Sequence, residues 1–120
     1  MKKLWIALII VIFNSCDTRV DYDYYIINKC NEKIEVQIFD YKNKVHYLNV
    51  YPNDNQLIFQ ENAINKIQKE LVEYFFKDIV ITKENNTSKI NYVNKNLWEM
   101  RPTSDAHANV FLTVTENDFK

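Results

Sequence analysis

Two patterns divide the chain. Residues 4–13 form one unbroken apolar run (Leu4-Trp5-Ile6-Ala7-Leu8-Ile9-Ile10-Val11-Ile12-Phe13), whereas from residue 22 onward apolar and polar positions alternate in short stretches broken by asparagine and aspartate. Alternation with period two marks a strand with one buried face. It predicts strands over 22–28, 33–39, 45–51 and 56–60, and then over 77–82, 88–93 and 109–115. In the second of these, Ile34, Val36 and Ile38 share one face. In the first, Tyr22 and Tyr24 share a face and Tyr25 points to the opposite one.

The middle of the chain has a different rhythm. Ala63, Ile64, Ile67, Leu71, Phe75 and Phe76 recur mostly at helical spacing among Glu, Gln and Lys, which predicts one amphipathic helix over about 62–75. An extended loop or a strand crossing between sheets is the alternative for this stretch. Residues 94–101, which carry Trp98, read as irregular, and the end of the chain as a polar tail. Short strands separated by turn signals predict a mainly β domain, a small antiparallel β-sandwich or barrel-like fold with that one helix. An α+β open sheet covered by the helix is the second choice.

Composition sharpens this picture in three places. The chain has no glycine and only two prolines, so turns that need positive φ fall to Asn or Asp. The candidates are Asn43, Asn53-Asp54-Asn55, Asn85-Asn86 and Asn94-Lys95-Asn96. Zero glycine also counts against a phosphate-cradling loop or a nucleotide fingerprint. Finally, 15 basic and 16 acidic side chains with no basic run give no electrostatic reason to expect a nucleic-acid partner.

The apolar run at the start sits between Met1-Lys2-Lys3 and Asn14-Ser15-Cys16-Asp17. It suits the core of a signal peptide but is shorter than the roughly 20 residues that span a bilayer as a helix. Lysines, apolar core, small residue and cysteine together resemble the lipobox signal of bacterial lipoproteins, with Phe13 and Asn14 departing from the usual Leu and small residue. The resemblance implies cleavage between Ser15 and Cys16, a lipid on the Cys16 sulfur and acylation of the new N-terminus. Residues 1–15 are then the signal peptide, 16–21 the lipidated cysteine and its tether, and 22–120 a single β-rich domain. The membrane becomes a partner through the anchor, because two or more acyl chains hold a protein firmly where one does not.

The body resembles, more loosely, the short lipoproteins of unknown function found in Bacteroidota. The residues that carry this likeness are the tyrosine-rich opening at 22–28, Trp98-Glu99 and the closing Val110-Phe111-Leu112-Thr113-Val114-Thr115-Glu116-Asn117-Asp118-Phe119. It implies a β-sandwich-like fold and a cell-envelope location, and it implies no activity. Asp17, Asp21 and Asp23 soon after the cysteine are compatible with surface export, so the outer membrane is the expected location, on its periplasmic or its surface face.

No motif for catalysis stands out. His46 and His107 lack the spacing of a zinc site, there is no nucleophile elbow, and Glu70 and Glu73 read as part of a charged helix face. No cofactor and no metal are expected, and the chain is read as non-enzymatic. If Cys16 carries lipid, Cys30 has no partner for an intramolecular disulfide and reads as a structural thiol. The positive hint is aromatic. Tyr22, Tyr24, Tyr25, Tyr47 and Tyr51 form a candidate binding surface, since tyrosine offers a flat apolar face and a polar tip. The expected role is a lipid-anchored envelope protein that binds or interacts with an envelope protein. A glycan-capturing accessory lipoprotein, or an envelope immunity protein or inhibitor, is the alternative.

Overall fold

The computed structural model describes residues 19–64 and 71–120. The expected signal peptide, the expected cleavage site Ser15-Cys16 and the centre of the expected helix, 65–70, lie outside the described residues. The strands are β1 (Arg19–Asn28), β2 (Ile34–Asp40), β3 (Val45–Val50), β4 (Asn55–Ile64), β5 (Phe76–Lys83), β6 (Asn86–Thr87), β7 (Trp98–Ser104) and β8 (His107–Val114), with a short helix α1 (Leu71–Phe75) before β5. They form two four-stranded sheets, ordered β4-β1-β8-β7 and β3-β2-β5-β6. The pairs are antiparallel except β1 with β8, which run parallel. A parallel pair needs a long connection. Here most of the chain, including the whole second sheet, lies between its two strands. The mainly β sandwich expected from the alternation is the fold of the chain.

The inward positions follow from period two. Val20, Tyr22, Tyr24 and Ile26 of β1 face Ile34, Val36 and Ile38 of β2 across the core, with Ala108, Val110, Leu112 and Val114 of β8 beside β1. Two bulges adjust the register. On β4, Tyr24 pairs with Phe59 and Tyr25 with Leu57, so Ile58 is the extra residue. Phe59 therefore turns in against Tyr24 while Leu57 turns out beside Tyr25. On β5, Asp40 pairs with Phe76 and Phe39 with Asp78, which leaves Lys77 as the extra residue and lets both Phe76 and Ile79 reach the core.

Aromatic rings fill the sandwich. Trp98 stacks on Phe76 at 5.9 Å, and Tyr24 meets both edge-on, at 5.1 Å to Phe76 and 5.8 Å to Trp98. The Trp98 indole N–H donates to the Tyr92 carbonyl at 2.7 Å. The Tyr92 hydroxyl in turn contacts Ser88 Oγ at 2.8 Å and Asp118 Oδ2 at 3.0 Å. The C-terminal turn Glu116–Phe119 is thus fastened to the second sheet, helped by Lys83 Nζ to Glu116 Oε1 at 2.7 Å. Cys30 is buried with a free thiol.

Four sequence expectations need correction. Residues 62–64 extend β4 rather than open a helix, because the backbone there pairs with Arg19, Val20 and Asp21; helix is described only at Leu71–Phe75. Residues 88–93 are not a strand: Ser88 and Tyr92 are drawn to Asp118, which takes the segment off the sheet edge after the short β6. Residues 98–101, expected as irregular, belong to β7, an edge strand on β8 that accommodates Pro102. Arg19 to Asp21, expected as tether, are already in β1. The turns, by contrast, use asparagine as predicted: Asn43, Asn53 and Asn85 have φ near +64°, +63° and +64°. Glu84, at φ +48°, joins them without a side chain that favours that region.

Candidate functional site

The five tyrosines do not make one surface. Tyr22 and Tyr24 are fully buried, a correction that follows from the alternation of β1, which turns every second side chain into the core. Tyr25 lies on the outer face of the first sheet. Tyr47, 71% exposed, stands on the outer face of the second sheet near Glu35, Gln37 and Thr82. Tyr51 sits at the end of β3 beside Glu32, Pro52 and Glu84.

The outer face of the first sheet gathers the most chemistry. Tyr25 and Phe111 are direct cross-strand neighbours and their rings stack at 5.2 Å with an interplanar angle of 18°. Leu57 flanks Tyr25 on β4, and the Arg101 guanidinium lies 4.9 Å over Phe111 from β7, held by Glu99. Adjacent to this apolar strip runs a polar chain that crosses all four strands. Gln60 Nε2 donates to Asp23 Oδ1 at 3.0 Å, Asp23 Oδ2 meets His107 Nε2 at 2.9 Å, and His107 Nδ1 meets the Thr103 hydroxyl.

Electrostatics fix the roles within that chain. Burial pushes the Asp23 carboxyl up, but hydrogen bonds from His107 and Gln60 and the attraction of the imidazole outweigh it, so its pKa lies below the usual carboxylate value. Asp23 is therefore an acceptor, and Nε2 of His107 carries the proton that it accepts. The Thr103 hydroxyl meets Nδ1 and also donates to the His107 carbonyl at 3.3 Å. The order hydroxyl, imidazole, carboxylate matches that of a nucleophile relay, with the two ring nitrogens exchanged. Thr103 stands exposed on an edge strand. The arrangement is a braced row of polar groups held at fixed positions.

Sequence reasoning missed this row because its members lie far apart: Asp23 and His107 are separated by 84 positions. The alternation of β1 puts Asp21, Asp23 and Tyr25 on one face and was the available signal. The register of β8 against β1 was not readable. His46 is likewise paired, with Asp40 at 3.0 Å. Among the described residues no three or more His, Cys, Asp and Glu side chains gather as a metal site, and no helix is long and apolar enough to cross a membrane. Comparison with protein-family models, with curated proteins and with solved structures finds no match.

Proposed function

We propose that this chain is a lipid-anchored cell-envelope protein whose β-sandwich is a non-enzymatic interaction module, held through Cys16 and facing a protein partner with the outer side of its first sheet. The lipobox-like run through Cys16 supports the anchor and a place in the cell envelope, and the acidic residues Asp17, Asp21 and Asp23 that follow it are compatible with the outer membrane. The observation that carries the binding role is the strip Leu57, Tyr25, Phe111 and Arg101 beside the braced row Gln60, Asp23, His107 and Thr103. Stacked aromatics and an arginine next to oriented polar groups are what the centre of a protein interface uses. The sheet is already twisted and hydrogen-bonded, so these groups lose little further freedom on docking.

The test is cross-linking in intact cells followed by capture of a tagged full-length copy. The reading expects one envelope protein to be recovered with the native chain and to be lost with Tyr25→Ser and with Phe111→Ser, while both variants keep native circular dichroism. Equal recovery with all three chains contradicts it.

A further inference from the structure

A second surface lies where the two sheets meet at the β3–β4 side. Tyr41, from the β2–β3 turn, and Tyr74, from α1, are 60% and 70% exposed and line the same cleft of about 300 Å³. Phe59 and Phe75 also line it, and both rings pack on Tyr24 of the core, at 6.2 and 5.9 Å. Single exposed tyrosines are ordinary on a protein surface. Here two from different elements converge on one aromatic-lined cleft.

The wall that bears Tyr41 is rigid. Asp40 is buried, and its Oδ1 accepts the backbone N–H groups of Lys42 at 2.8 Å and Lys44 at 3.0 Å. Asn43 takes the left-handed conformation that closes the turn. The other Asp40 oxygen takes His46 Nε2, and the His46 ring stands edge-on to Phe59 at 6.2 Å. That leaves Nδ1 of His46 as a further polar atom for a ligand.

The polar residues of the lining include both donors and acceptors, Lys42, Lys44 and Glu61. The lysines are balanced by Asp40 and Glu61, so the cleft has no net pull on a polyanion. Flat apolar faces, mixed hydrogen-bonding groups and near-neutral charge together match a pyranose ring, whose C–H face stacks on aromatics while its hydroxyls need both donors and acceptors. We propose that this cleft binds the end of a neutral glycan chain, with Tyr41 and Tyr74 as the stacking residues and His46 and Glu61 reading the hydroxyls. The cleft borders the first-sheet row at Gln60, but its stacking residues lie off that face, and it does not depend on that face having a protein partner. Its volume suits a chain end rather than a whole oligosaccharide.

The full chain, purified in detergent, is applied to an array of neutral hexose and hexosamine oligosaccharides, and any hit is titrated by calorimetry. The expected result is binding of at least one oligosaccharide that Tyr41→Ala and Tyr74→Ala each weaken roughly tenfold, the scale of one lost ring contact. Tyr41→Phe keeps most of the affinity. Tyr25→Ala and Tyr47→Ala, on the two sheet faces, leave it unchanged. Silence across the array overturns the proposal. So does selective binding of acidic sugars alone, or binding that survives both tyrosine replacements.

Discussion

Asn28, the last residue of β1, donates from its side-chain amide to the carbonyl of Val50, the last residue of β3, at 2.8 Å, and so ties the first sheet to the second. The same amide reaches the Glu32 carbonyl at 2.8 Å, and its Oδ1 accepts the Cys30 N–H at 2.8 Å. Its backbone is also used, donating to the Asp54 carbonyl and accepting from the Asn53 N–H. Every polar group of a fully buried asparagine is thereby satisfied, and one end of the sandwich is closed.

Removing that side chain strands the Val50 carbonyl and the Cys30 N–H in the interior and the part-buried Glu32 carbonyl. Asn28→Ala is expected to cost about 3 kcal/mol, a large share of the 5–15 kcal/mol typical of a domain. Asn28→Asp is expected to be at least as costly, since it sets a carboxylate oxygen against the Glu32 and Val50 carbonyls. Urea unfolding of both variants checks this, and a loss within experimental error for either would show that the clasp contributes little.

Tyr24 presents the reverse case. Its hydroxyl is buried without a hydrogen-bond partner among the described residues, and burial pushes its pKa far above the ordinary tyrosine value. Tyr24→Phe keeps the ring contacts to Phe76 and Trp98 and removes only the unpaired group. It is expected to raise stability by about 1 kcal/mol. Thermal unfolding decides it, and a lowered midpoint would reveal a partner for the hydroxyl.

Cys30 is expected to be chemically silent in the folded protein. Burial and the neighbouring Glu116 push the thiol up to about 11, so little thiolate exists at neutral pH. Ellman's reagent applied to native Cys16→Ala protein is expected to give almost no signal until denaturant is added. Rapid native labelling would place Cys30 among accessible thiols.

Acid is expected to loosen the fold below about pH 4. Asp40 is held below the usual carboxylate value by His46 and by the Lys44 and Lys42 N–H groups, and Asp23 is held below the same value by the balance described above. Glu116 lies below 4.5 because of Lys83. Each unfolded carboxyl takes up its proton at higher pH than the folded one, so stability present above the unfolded value fades as pH falls through the folded value. Glu32 works the other way, because Glu84 beside it raises its pKa. Urea midpoints across pH 3–6 should fall toward the acid end, and Asp40→Asn should flatten that slope. An unchanged slope would mean that the Asp40 network carries no linkage.

The legible part of the fold was the part governed by alternation. β1, β2 and β8 repeat inward apolar residues at every second position, so their faces were readable along with the sandwich class. β7 was not readable because Glu99, Arg101 and Pro102 break its pattern with charge and a proline, leaving only Trp98 and Met100 to mark an inner face. The extension of β4 to Ile64 was hidden by helix-forming neighbours and is imposed by pairing with β1. The tyrosine surface was half legible. Alternation separates Tyr25 from Tyr22 and Tyr24, but no local signal says which face becomes the core. The cross-strand row and the tyrosine cleft depend on register and on sheet packing, and a single sequence carries neither.

The claim on which the rest stands is the anchor. Mass spectrometry of the N-terminal peptide, taken from full-length protein extracted from cell membranes, addresses it most directly. The account predicts a chain that begins at Cys16 and carries a diacylglyceryl group on its sulfur, with Cys16→Ala recovered in the soluble fraction. A mature chain that begins elsewhere, or a Cys16 with a free thiol in protein that still partitions with membranes, would contradict it.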